Sequence, residues 1–207
     1  EGSINLTVMY GSNIGAKKFY SKEFSSYIEW DIPLFEGYKY IFFKNFSFKN
    51  IKGTFSRINL GMFFHVIFNR YDVVLIHGYD TVSSWLVFTA AKLKGVKVIW
   101  RGEASIRPKT HQNIIKKIIK TKVLPYYFNH MDAVMFSCTG NQEYLNQFNI
   151  QKEKMFLMPC AVDNSFFRKS KLTPQNCIAL RDKLGIHNND FVVLFSSRFI
   201  SRKKPLD

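Results

Sequence analysis

Cysteine is scarce: Cys138, Cys160 and Cys177 are the only three in 207 residues. An odd number without a CxxC spacing argues against a disulfide framework and against a zinc site. Reduced thiols in a cytoplasmic protein are expected, and no metal centre. Long apolar runs are also missing. Leu60–Phe64 is broken by His65 and resumes only briefly, far short of the roughly 20 residues a membrane-spanning helix needs. No secretory leader is recognised ahead of the first strand. No unit of about 20 to 50 residues recurs, which argues against a solenoid or propeller. Acidic residues are few, 15 against 30 Lys and Arg, so the net charge is +15. Nucleic acid, an anionic membrane surface and phosphorylated small molecules all suit that charge. No zinc finger, RRM signature or basic stripe interleaved with aromatics accompanies it. No specific nucleic-acid partner is therefore expected.

What is present is a structured chain. Apolar residues make up 46%, which excludes a disordered one. Ile4–Tyr10 and Tyr38–Phe43 are rich in β-formers and predict strands. Residues 11–38 between them are punctuated by Gly11, Gly15, Pro33 and Gly37 and predict irregular chain. Thr54–Asn69 carries Leu60, Phe63, Phe64, Ile67 and Phe68 at helical spacing.

From Asp72 the pattern sharpens. The runs DVVLIH (72–77), VKVIW (96–100), DAVMFS (132–137), MFLM (155–158) and FVVLFS (191–196) predict strands. Helices are expected between them, one capped by Asp80 or Thr81 and ending at Gly95. Others are expected over 112–124, 142–148 and 174–184, the last stopping at Gly185. Several strands lack polar alternation, the mark of a parallel sheet buried on both faces. The fold class expected is α/β: a Rossmann-like parallel sheet covered by helices. In such sheets ligands bind beyond the carboxyl ends of the strands. The loops at those ends hold His77-Gly78-Tyr79-Asp80, Arg101-Gly102-Glu103, Cys138-Thr139-Gly140-Asn141, Pro159-Cys160-Ala161-Val162-Asp163-Asn164, and Ser197-Arg198 with Lys203 beyond.

The order of these loops resembles family 4 of the glycosyltransferases, whose GT-B architecture sets two Rossmann-like domains face to face. PCAVDNSFF (159–167) is similar to the segment that closes the first domain in that family. SSRFISRKKPLD (196–207) is similar to the phosphate-binding start of the second. WDIPLFEGYKY (30–40) and IWRGEAS (99–105) also look like one branch of the family.

The resemblance implies a first domain over residues 1–170 without its first strand, a linker over 171–188, and the opening strand and helix start of a donor-binding domain over 189–207. On this expectation the chain is an internal piece of a longer protein, truncated at both ends and inactive alone. The activity implied is hexosyl transfer, with retention, from a nucleotide-diphosphate sugar to a glycan or lipid-linked acceptor. No cofactor and no metal are implied. Arg198 and Lys203 match the diphosphate-binding Arg and Lys of the family. A guanidinium fork and an ammonium point charge both suit phosphate oxygens. Two departures stand out. Ser197 occupies the place of a glycine, and Arg101-Gly102-Glu103 replaces a loop that often holds a histidine.

Several readings stay open from the residues alone. Glu103 with Arg101 is either a catalytic or acceptor-orienting pair or a surface salt bridge. His77 and Gly78 either line the acceptor crevice or simply end a strand, His77 as a hydrogen-bonded structural histidine. Asp163 either shapes the same crevice or makes an ordinary turn. Ile114, Ile115, Ile118, Ile119 and Val123 form one helix face beside Lys116, Lys117 and Lys120. That face either rests on an anionic inner membrane surface or packs in the domain with its lysines solvated. The alternative to a transferase is a non-catalytic basic binding protein.

Overall fold

The computed structural model describes residues 4–21, 25–30, 32–48, 51, 53–106, 114, 118–169, 173–187 and 189–197. The chain divides into two compact units, Glu1–Cys160 and Ala161–Asp207. The fold is α/β, with a Rossmann-like parallel sheet flanked by helices.

In the first unit, β1 (Thr7–Tyr10) pairs in parallel with β4 (Lys39–Phe42). Between them lies a short antiparallel hairpin, β2 (Phe19–Ser21) and β3 (Ser26–Ile28). Residues 11–38 are therefore not wholly irregular. Each strand of the hairpin has three residues, too few for a period-two pattern to declare itself.

The expected helix over 54–69 begins later. A single 3₁₀ turn spans Gly53–Ser56, and α1 runs Leu60–Phe68. Asn59 ends the intervening chain and is fully buried. Its Nδ2 donates to the carbonyls of Gly11 at 3.1 Å, Phe43 at 3.1 Å and Lys44 at 3.0 Å. Its Oδ1 accepts from Ser83 Oγ at 2.8 Å, and its own N–H donates to the same Oγ at 3.0 Å. One amide thus holds the ends of β1 and β4 against the starts of two helices. Gly11 must be small here, because a Cβ would lie 2.7 Å from Asn59 Oδ1.

The main sheet follows, four parallel strands in the order β5 (Val73–His77), β6 (Lys97–Gly102), β7 (Ala133–Phe136), β8 (Met155–Leu157). Helix α2 (Val82–Lys94) connects the first pair. Thr81 caps it by accepting from Ser84 N, and Gly95, at φ 73°, closes it in the left-handed region. Between β6 and β7 a π-type turn (Ile119–Val123) leads into α3 (Leu124–Asn129). Pro125 has no N–H to give the preceding turn, so regular α spacing changes where it enters. Helix α4 (Thr139–Asn146) joins β7 to β8.

Register places Val74, Val98, Ile76, Trp100 and Val134 on one sheet face, and all are buried. Met62 and Val66 of α1, Phe88 of α2, Tyr127 and Phe128 of α3 and Leu145 of α4 share that core. Val73 and Leu75 point the other way and are exposed. Burial on both faces is thus not what β5 shows. An apolar run marks a strand that can be buried on both sides, without saying what lies over each.

Asp132 ties α2 to the sheet. Its carboxylate meets Lys92 Nζ at 2.9 Å, Lys97 Nζ at 3.0 Å and the Val98 N–H at 2.9 Å. Burial pushes the carboxyl up, but Lys92, the Val98 N–H and Lys97 together hold it far below the usual carboxylate range. A lowered folded pKa stabilises above the ordinary unfolded value, about 4, and that stabilisation is lost as pH falls through the folded value. Asp132→Asn should therefore cost about 1 kcal/mol at neutral pH. Its urea midpoint should converge on that of the parent as the solution is acidified below the ordinary carboxylate range. A deficit unchanged across that range would show that the charge contributes nothing.

The second unit contains α5 (Asn164–Lys169) and α6 (Pro174–Lys183). Thr173 caps α6, and Gly185 follows it at φ 68°. The expected strand over 191–196 is not formed; Phe191, Val193 and Leu194 are extensively exposed. A strand takes its hydrogen bonds from neighbours, and no other strand occurs among the described residues of this unit.

Candidate functional site

The parallel sheet brings four side chains together beyond the carboxyl ends of its strands. His77 is the last residue of β5 and lies in register with Arg101 of β6. Gly78 follows at φ 78°, and its N–H donates to the Arg101 carbonyl at 2.8 Å. That bond carries the β5–β6 ladder one residue past the strand. The left-handed conformation there is one glycine adopts at no steric cost.

Arg101 Nη1 lies 3.4 Å from His77 Nδ1 and 3.3 Å from Glu103 Oε1. Arg101 Nη2 lies 3.5 Å from Cys160 Sγ, whose thiol also approaches Glu103 Oε1 at 3.6 Å. Cys160 follows β8, whose last rung is extended by the Met158 N–H to the Phe136 carbonyl at 2.8 Å. The Arg101 side chain is only 14% exposed, whereas Glu103 is 57% exposed. The guanidinium is the anchored hub, and the carboxylate faces solvent. This is a positioned hydrogen-bond acceptor backed by a cation, able to hold a hydroxylated ligand.

Glycine between Arg101 and Glu103 is sterically required. A Cβ on Gly102 would stand 2.4 Å from Trp100 Cζ2 and 2.5 Å from its Cη2. Trp100 is buried, and its indole packs on Phe128 at 4.9 Å and Tyr79 at 6.1 Å. The ring has no room to yield, so the chain crosses it bare and delivers Glu103 to the surface. The loop is then pinned by Asn141, buried at the start of α4. Its Nδ2 donates to the Ala104 carbonyl at 2.6 Å, and its Oδ1 accepts from the Ser137 N–H at 3.1 Å.

Sequence reasoning picked His77, Gly78, Arg101 and Glu103, and the structure brings all four to one place. It quoted Cys160 and Asn141 only as members of strand-end loops. The same strand-end rule, applied side chain by side chain, would have chosen both. Asp163 belongs to the second unit, where its Oδ1 accepts from the N–H groups of Ser165 at 2.9 Å and Phe166 at 3.0 Å. Those two bonds cap α5. Arg198 and Lys203 lie outside the described residues.

Among the described residues no group of three or more His, Cys, Asp or Glu is placed to hold a metal ion. Among them, too, no helix is long and apolar enough to cross a membrane. Ile114, Ile118, Ile119 and Val123 are exposed, while Ile115, Lys116 and Lys117 lie outside the described residues. No family model, no curated protein and no solved structure matches the chain.

Proposed function

We propose that this chain belongs to a nucleotide-sugar-dependent glycosyltransferase of the GT-B type, as most of its acceptor-side domain and the opening of its donor-side domain. The observation that carries the reading is the cluster of Arg101, Glu103, His77 and Cys160 at the carboxyl ends of a parallel sheet. That is where a Rossmann-like domain keeps its ligand. The motif resemblance at 159–167 and 196–207 supplies the reaction.

In the transfer, the bond between the sugar C1 and the β-phosphate oxygen breaks, and a bond from C1 to the acceptor oxygen forms. The diphosphate leaves with the electron pair, and its oxygen takes the proton that the acceptor hydroxyl gives up. Glu103 would receive a hydrogen bond from the acceptor, and its ion pair with Arg101 supports that role. Arg198 and Lys203 would neutralise the leaving diphosphate. The exposed isoleucines beside Lys120 and Lys122 favour a transferase resting on an anionic membrane surface on its cytoplasmic side. Sedimentation with phosphatidylglycerol vesicles, lost at high salt, would support that contact. Equal binding to phosphatidylcholine vesicles, or none to either, would remove it.

The test of the activity uses the protein from the complete reading frame. It should release nucleoside diphosphate from one of UDP-, GDP- or ADP-linked hexoses when a membrane glycolipid fraction is added, and should do so in EDTA. Acceptor-independent release, or none with any donor, would favour the non-catalytic binding protein instead.

A further inference from the structure

A second groove lies on the small parallel pair, and none of its residues belongs to the Arg101 cluster. Register sets Val8 beside Tyr40 and Tyr10 beside Phe42, so Tyr10, Tyr40 and Phe42 share one face. Met9 and Phe43 turn the other way and pack on the core. Onto the outer face the loop before β4 lays Phe35, whose ring centroid is 5.0 Å from Tyr40 and 5.5 Å from both Tyr10 and Phe42.

Trp30 stands beside this cluster with half its surface exposed, 54%. Gly15, at φ 92°, turns the chain beside the indole, where a Cβ would make only an ordinary contact, 3.4 Å from Trp30 Nε1. Two clefts of about 400 Å³ each open along Trp30, Ile32, Leu34 and Phe35. That volume lies within the range of small-ligand sites, about 300–1,000 Å³. Phenolic hydroxyls edge the aromatic floor. Tyr10 and Tyr38 are joined at 2.7 Å, and Tyr38 donates to the Leu34 carbonyl. The bond to Tyr38, with burial, pushes the Tyr10 phenol up to about 12; its proton goes to Tyr38 Oη, so toward a ligand it acts as an acceptor.

The charges decide what fits. The first cleft is lined by Lys17 and Lys18 and by Glu29 and Glu36. Among its described lining residues the charges balance, on a chain whose net charge is +15. A polyanion would be held by a cationic groove, which this is not. A wholly apolar ligand would leave four charged side chains desolvated for nothing. A ligand with flat C–H faces for the rings and neutral hydroxyls for the rim satisfies both parts.

We infer that the Trp30–Phe35–Tyr40 groove is a binding site for a neutral oligosaccharide. On the transferase reading its occupant is the acceptor glycan, but the binding itself does not depend on that reading.

Of the three tryptophans, Trp100 is buried and Trp85 is partly buried against the core, so the more exposed indole of Trp30 contributes most to quenching by acrylamide. Maltohexaose, cellohexaose, laminarihexaose and mannohexaose would be titrated separately, with oligo(dT) in parallel. At least one saccharide should protect the fluorescence saturably in the millimolar range. Tyr40→Ala, which keeps the reporter, should weaken that binding by about tenfold or more. By calorimetry, Trp30→Ala should do the same and Trp30→Tyr should retain most of it. The assignment is overturned if no saccharide saturates, if both alanine variants bind as the parent does, or if oligo(dT) alone protects the indole. Saccharide binding without any sugar transfer would remove the transferase reading and leave the groove assigned. Transfer without this binding would do the reverse.

Discussion

Asn59→Asp should lower the free energy of unfolding by about 4 kcal/mol at neutral pH, much of what a domain of this size has. The substitution is nearly isosteric, so the loss reads the hydrogen bonds and not a cavity. In place of an amide that donates to the carbonyls of Gly11, Phe43 and Lys44, it sets a carboxylate facing three acceptors. The site is fully buried, so the new charge is cut off from bulk solvent. Acidification, by protonating the new carboxyl, should recover part of the loss, because a carboxylic acid can donate once. Asn59→Ala should cost less, about 3 kcal/mol, since it leaves acceptors unpaired without adding charge. Urea denaturation followed by circular dichroism measures both. An Asn59→Asp protein as stable as its parent would mean that the amide is not the clasp between β1, β4, α1 and α2.

On the proposed transferase function, Arg198→Ala should reduce the rate of sugar transfer by about 100-fold, equivalent to about 3 kcal/mol of transition-state stabilisation. Negative charge accumulates on the β-phosphate as the glycosidic bond opens, and the resemblance implies that side chains, not a metal, meet it. A guanidinium offers two parallel donors to phosphate oxygens and an ammonium only one point. Arg198→Lys should therefore recover part of the rate, not all. Lys203→Ala should fall in the same range. Because the charge develops during transfer, the loss should appear in kcat while KM for the acceptor stays within a factor of about two. A change confined to KM for the acceptor would place Arg198 away from the diphosphate.

How much could be read from the residues alone depended on how far each feature repeats locally. The stretch from Asp72 to Leu157 was legible because its strands are continuous apolar runs and its helices have chemical ends, such as Thr81 and Gly95 around α2. The hairpin at 19–28 was not, because strands of three residues carry no period. Asn59 falls inside the helix that the spacing over 54–69 predicts; nothing in the local sequence marks an asparagine whose partners lie up to 48 residues away. FVVLFS at 191–196 has the composition of a strand, but no second strand occurs among the described residues of its unit.

The candidate site divided along the same line. His77, Gly78, Arg101 and Glu103 follow from strand ends and one topological rule. Cys160 follows β8 and reaches Arg101 of β6 only across the one strand between them, β7. The aromatic groove depends on register between β1 and β4, which sequence order alone does not fix.

The most direct measurement follows a radiolabelled sugar from a nucleotide-diphosphate donor into a glycolipid acceptor, using the protein from the complete reading frame in the presence of EDTA. A transferase of the proposed type puts label in the glycan, releases nucleoside diphosphate in equal amount, and gives about 100-fold less of both with Arg198→Ala. Intact donor after prolonged incubation with every nucleotide sugar, or label transfer indifferent to Arg198, would contradict it.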